Sequence, residues 1–149
     1  MNKIKIFLTI FTISIIAFSS FGFTTNCKKE VILNETESAF LNLINEARIQ
    51  NNLNPLTANQ KLMDISRSRC SDMVARNYFS HYTPGGNRVK QGEILGRGDS
   101  EITSEMFLNA WLNSQPHREV MLGSRYKKIG IGVIDNNGTR IVTIIFSSR

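Results

Sequence analysis

From Ile129 to the end, the chain changes its hydrophobic period from helical to strictly alternating, and this change constrains the fold more than any other feature. Ile129, Ile131 and Val133 alternate with Gly130 and Gly132, and Asp135-Asn136-Asn137-Gly138 then supplies turn chemistry. Beyond it Arg140, Val142, Ile144 and Phe146 share one face, while Ile141, Thr143 and Ile145 share the other. The pattern predicts a β-hairpin whose second strand is apolar on both faces. A strand like that needs cover on both sides, which here must come from the helical segments before it. The expected architecture is α+β: a three-layer α-β-α sandwich with a small antiparallel sheet ending in a C-terminal hairpin.

The helical segments come first. Asn34-Glu35-Thr36-Glu37 has the spacing of a capping box, and Phe40, Ile44 and Ala47 continue as one stripe with Leu41 beside it, predicting an amphipathic helix to Gln50. Asn51-Asn52-Leu53-Asn54-Pro55 ends it. A second start signal at Thr57, with Gln60 three residues on, opens a helix that lines Leu62, Ser66, Cys70, Met73 and Asn77 along one face, flanked by Met63 and Val74. Arg67, Arg69 and Arg76 fall mostly off that stripe and read as solvated. Between Tyr78 and Ser100, Pro84, Gly85, Gly86, Gly92, Gly96 and Gly98 interrupt every period, so this stretch reads as a long loop of the kind that carries function. A third helix is expected over 101–113, burying Phe107, Ala110 and Trp111, and a short helical turn over 117–122, stopped by Gly123.

At 149 residues the chain has room for one core. Its first residues read as a targeting segment: a positive start through Lys5, then an apolar run thirteen residues long from Ile6 to Phe18, too short to cross a bilayer. Residues 1–22 are therefore assigned to a signal peptide, 23–34 to a linker and 35–149 to the folded domain; an uncleaved anchor running to Phe23 is the alternative. Export to the cell envelope or the medium follows from that assignment. With Lys3 and Lys5 set aside, sixteen basic residues face twelve acidic ones, an excess spread along the sequence that does not argue for a nucleic-acid partner. Cys27 and Cys70 show neither CxxC nor metal-ligand spacing. Three states stay open for them: a lipid anchor on Cys27, a 27–70 disulfide, or two free thiols. Membrane association is expected only through the signal segment or a lipid on Cys27, and the domain is expected to be a monomer.

The remaining chemistry lies in two histidines. His81 ends Asn77-Tyr78-Phe79-Ser80-His81, and His117 lies in Ser114-Gln115-Pro116-His117-Arg118; Glu93, in Gln91-Gly92-Glu93-Ile94, is the only carboxylate in the glycine-rich stretch before Asp99. Taken one by one, these are ordinary loop residues, and nothing local requires them to meet.

Seven fragments in order link them. Leu43-Ile44-Asn45-Glu46-Ala47-Arg48, Asn54-Pro55-Leu56, Tyr78-Phe79-Ser80-His81, Gly92-Glu93, Ala110-Trp111-Leu112-Asn113-Ser114, Pro116-His117-Arg118 and Ile129-Gly130-Ile131-Gly132-Val133 together resemble the CAP superfamily (cysteine-rich secretory proteins, antigen 5, pathogenesis-related 1) in its short bacterial form. The resemblance implies the same sandwich over 35–149 and a surface cleft holding two histidines and two acidic residues. By position these are His81, His117 and Glu93, with Ser114 standing where the second acid is expected and Ile94 where an Asn commonly follows.

Two neutral imidazoles with a nearby carboxylate suit a borderline divalent cation such as zinc; His81 and His117 offer two nitrogens and the carboxylate at most one oxygen, with solvent completing the set, so binding is expected to be weak. The competing reading has Glu93 ordering the loop through hydrogen bonds. A hydrolase built on Ser114, His117 and Glu93 is an alternative, but no nucleophile elbow adjoins Ser114, so no catalytic residue is assigned. The resemblance also implies apolar ligands, lipid or sterol-like, for which Phe79, Tyr82 and Met106 are candidate walls. A purely structural envelope protein is the third reading. The expectation is a non-catalytic ligand-binding module.

Overall fold

The hairpin is present and forms the middle of a mixed sheet. The computed structural model describes residues 30–149, so the signal segment, most of the linker and Cys27 lie outside the described residues. In chain order the elements are α1 (Glu35–Gln50), β1 (Thr57–Ala58), α2 (Gln60–Ala75), β2 (Gly92–Asp99), α3 (Ser104–Asn113), α4 (Gln115–Met121), β3 (Lys128–Asn136) and β4 (Thr139–Ser147). The strand order is β1-β3-β4-β2. β3–β4 and β4–β2 are antiparallel, whereas the short β1 runs parallel to β3, so the expected antiparallel sheet is mixed at one edge. Asn137 and Gly138 both take positive φ (49° and 74°), the two-residue geometry whose twist matches that of the flanking strands.

Side-chain alternation sorts the layers. Gly130 and Gly132 face α2, and the register places Ile145 and Thr143 of β4 on that side with Glu93 and Leu95 of β2. Cys70 and Met73 of α2 pack there with Leu95 and Ile141. On the opposite face Ile129, Ile131, Ile144 and Phe146 join Phe40 and Ile44 of α1, Phe107 and Trp111 of α3, and Met121 at the end of α4. Phe40, Phe107 and Trp111 form an aromatic triangle with centroids 5.6–6.1 Å apart. The predicted three layers are therefore present.

Several expectations are corrected. The 78–100 stretch is not loop throughout, because its second half is β2. Its glycines mark close packing: a Cβ at Gly96 would meet the Phe107 and Trp111 rings, one at Gly92 the Tyr126 ring, and one at Gly98 the Ile102 side chain. α2 is capped by Asn59, whose side chain accepts from the Leu62 amide, while Thr57 lies in β1. Asn77 falls beyond α2 with φ 49° and is exposed, so it does not extend the buried stripe. In α3 the buried residues are Phe107, Leu108 and Trp111, with Ala110 exposed. The capping box at Asn34 and Glu37 is formed in full.

Candidate functional site

β2 is an edge strand: side chains of α2 reach its Glu93 and Leu95 on one face, and α4 packs against it from the other. Residues 78–91 run past that edge, and this brings His81 beside Glu93. The Glu93 side chain is fully buried, and its Oε2 lies 2.7 Å from His81 Nδ1. Its other oxygen, Oε1, accepts from Arg69 Nε at 3.2 Å. Arg69 also donates to the Tyr78 hydroxyl at 2.8 Å and to the Ser80 carbonyl at 2.7 Å. Tyr78 in turn donates to Asp72, which pairs with Arg76. An ionic chain thus runs from the surface of α2, beneath residues 78–80, to the imidazole.

Arg69 is a correction to the sequence reading, being buried rather than solvated. The spacing carried the signal: Leu62, Ser66, Arg69 and Met73 are a helical i, i+4, i+7, i+11 row, and all four are buried. A buried guanidinium needs a carboxylate, and Glu93 on the facing strand supplies it. Glu93 is likewise a strand residue, not a loop residue. A carboxylate so held only accepts hydrogen bonds, so the His81 proton sits on Nδ1 and Nε2 is the open nitrogen.

His117 comes from α4. Its Nδ1 lies 2.8 Å from Ser114 Oγ, so the serine at the expected second acidic position acts as the hydrogen-bond partner of the ring. Ser114 ends α3 and precedes α4 but caps α4 with no side-chain hydrogen bond, which leaves its hydroxyl to the histidine. Burial, and then the proximity of His81, hold the His117 imidazole below its ordinary value, so the ring is neutral at pH 7.

The structure brings His81 to Glu93 and His117 to Ser114, as two hydrogen-bonded pairs. It does not assemble Ser114, His117 and Glu93 as one relay, because Glu93 is committed to His81 and Arg69. Both carboxylate oxygens being taken, Glu93 stands behind a histidine as its orienting group rather than beside it as a third ligand. Among the described residues no group of three or more His, Cys, Asp or Glu side chains is placed to hold a metal ion.

Cys70 is unrelated to this chemistry. It lies buried under α2 with its thiol against the Gly132 carbonyl and the Thr143 hydroxyl, and burial pushes it up to about 11.

Comparison with known families matches residues 41–146 to the cysteine-rich secretory protein family, CAP. The chain belongs to the CAP family. Among curated proteins it is similar to the uncharacterized protein YkwD of Bacillus subtilis (strain 168), 29% identical over 112 residues that make up 67% of this chain and 43% of that one. The chain spans less than half the length of the curated relatives it matches. Among solved structures, an outer surface protein from Borrelia burgdorferi superposes with a TM-score of 0.71 at 23% identity, covering 80% of this chain and 96% of that one. NaASP2, solved with Zn2+, superposes with a TM-score of 0.65 at 13% identity, covering 82% and 84%. These two likenesses speak for the CAP fold. The CAP match also spans all four candidate residues, from His81 to His117.

Proposed function

We propose that this CAP domain works outside the cytoplasm as a non-catalytic ligand-binding module in which His81 and His117 hold a divalent cation of the zinc type. The observation that carries the reading is the His81–Glu93 hydrogen bond at 2.7 Å. A buried carboxylate fixes the tautomer of a 40% exposed imidazole and turns Nε2 outward, the arrangement that orients histidines for metals. His117, neutral at pH 7, offers a second nitrogen without a proton to displace. When bound, such an ion supplies a Lewis-acidic centre with positions open to a ligand's own donors. The solved CAP structure of NaASP2 with Zn2+ and the outer surface protein of Borrelia burgdorferi support the reading, as does the leader-like N-terminal sequence.

Calorimetric titration of the purified domain with zinc tests it. One weak site is expected in the parent and none in the His81→Ala/His117→Ala variant. An absence of heat in the parent, or equal heat in both proteins, overturns the reading.

A hydrolase is the second reading, and the Ser114 Oγ–His117 Nδ1 distance of 2.8 Å favours it. It lacks a group that orients His117 from behind, and a lowered imidazole is a weaker base. Turnover of any ester or peptide that disappears in Ser114→Ala would establish it. An apolar ligand has support in Phe79 and Tyr82, which flank His81 in the sequence and are exposed, as is Met106.

A further inference from the structure

On the N-terminal side of β2 two clefts of about 580 and 480 Å³ lie side by side and share Lys90, Gln91, Gly92, Arg125 and Tyr126 as lining. Arg88 lines the first and Arg149 the second, so four cationic side chains border one continuous concavity. Elsewhere the arginines at 67, 69, 76 and 140 are paired with carboxylates. Among the described residues, none of these four has a carboxylate at ion-pair distance.

Two of the four are held in place without being neutralised. The Arg125 guanidinium stacks 4.9 Å from the centre of the Tyr126 ring and donates to its hydroxyl at 2.8 Å, and Arg88 lies 5.6 Å from the centre of the Tyr82 ring. An aromatic face orders the planar fork while leaving most of its N–H donors free, which lowers the entropy lost when an anion binds. The acidic groups nearby are few, and one of them, Glu93, lines the first cleft. Glu93 is consumed by Arg69 and His81, and Glu119, in an adjoining hollow with Arg125, accepts from Gln115.

We propose that this groove, from Arg88 through Lys90 and Arg125 to Arg149, binds a phosphate-bearing chain molecule. Guanidinium forks match phosphate oxygens. Two adjoining clefts exceed what a single phosphate fills, so an extended chain with one charge per unit suits the spread of cations. The site is concave, which disfavours a flat bilayer surface as the partner. It adjoins the histidine pair through Glu93, which lines the first cleft, but its cations are other side chains and it needs no metal.

The test is calorimetric titration with short linear polyphosphate of uniform length, in EDTA at low salt. The parent is expected to bind. Arg88→Gln/Lys90→Gln, at two exposed positions outside the core, is expected to weaken binding about tenfold and to reduce the slope of log affinity against log salt by about one to two. Lys61→Gln/Arg97→Gln removes the same charge elsewhere, and His81→Ala/His117→Ala removes the imidazoles; both are expected to bind as the parent does. No binding by the parent overturns the proposal, and equal weakening in the Lys61/Arg97 control reduces it to diffuse attraction and overturns it too. Binding to phosphatidylglycerol vesicles but not to polyphosphate assigns the surface to lipid and equally overturns it. Loss of zinc binding in the histidine variant with polyphosphate binding intact separates this site from the proposed cation site.

Discussion

Arg69 and Glu93 form the buried pair on which the candidate site rests, so removing both charges should cost less than the two single removals added together. Arg69→Gln leaves a fully buried carboxylate with only an imidazole beside it, and the expected loss is about 3 kcal/mol. The Arg69→Gln/Glu93→Gln double variant should lose clearly less than the sum of the single changes, measured by urea unfolding; strict additivity would mean that the pair is not coupled. His117 gives a prediction in pH. Its folded-state value is lowered, so as pH falls through the ordinary value of 6.5 the unfolded chain takes up the proton first. The domain therefore loses stability from that point until pH passes the lowered value, and above the ordinary value the group contributes no slope. In the presence of chelator, His117→Gln should flatten this part of the stability profile just below pH 6.5, and an unchanged profile would contradict the assignment.

At the scale of the elements, α2 lies directly on β3, and the contact is backbone on side chain. A Cβ at Gly132 would collide with the Ser66 carbonyl group and the Arg67 amide nitrogen, and one at Gly130 with the Leu62 carbonyl group. Helix backbone cannot swing aside as a side chain does, so Gly132→Ala should cost about 1–3 kcal/mol. Gly98→Ala, which meets only the mobile end of Ile102, should cost less, and thermal melts of the two variants rank them. Ser66 sits in this same contact, fully buried, with a hydroxyl that has no partner. Ser66→Ala should therefore be neutral or slightly stabilising. This tight layer also explains what could be read from the sequence. The hairpin, α1 with its cap, the two-sided sheet and the order of the histidine-bearing fragments were legible, because each follows from a local period or motif. β2 was not legible, since its glycines look like loop chemistry until the aromatic rings filling their places are known. The burial of Arg69 was legible only in its i, i+4, i+7, i+11 spacing with Leu62, Ser66 and Met73; that a carboxylate awaits it is shown only by the facing strand. That His81 pairs with Glu93 and His117 with Ser114 depends on how the chain passes the sheet edge, which no local pattern encodes.

Across the whole molecule, one side chain ties the first helix to the second half of the chain. Arg48, in the last turn of α1, is fully buried and donates to the carbonyls of Asn54, Met121, Gly123 and Tyr126. No carboxylate among the described residues meets it; four backbone acceptors do, and burial draws its guanidinium below its ordinary value. Only a planar fork reaches several carbonyls arranged around it, so Arg48→Lys keeps the charge but leaves most of those acceptors unsatisfied in a dry interior. The expected cost is about 3 kcal/mol or more, and because the carbonyls belong to α1's exit turn, the end of α4 and the approach to β3, the loss should be global. Far-ultraviolet dichroism and Trp111 fluorescence should then report one coincident unfolding transition at lower urea. If dichroism instead showed only local fraying of α1 while Trp111 unfolded at its original midpoint, Arg48 would be a helix-end anchor and nothing more. The same carbonyl cluster fixes where α4 ends, and so where His117 stands relative to His81. If the cation site is as proposed, zinc affinity in Arg48→Lys, measured below its unfolding transition, should consequently fall even though neither imidazole has been touched.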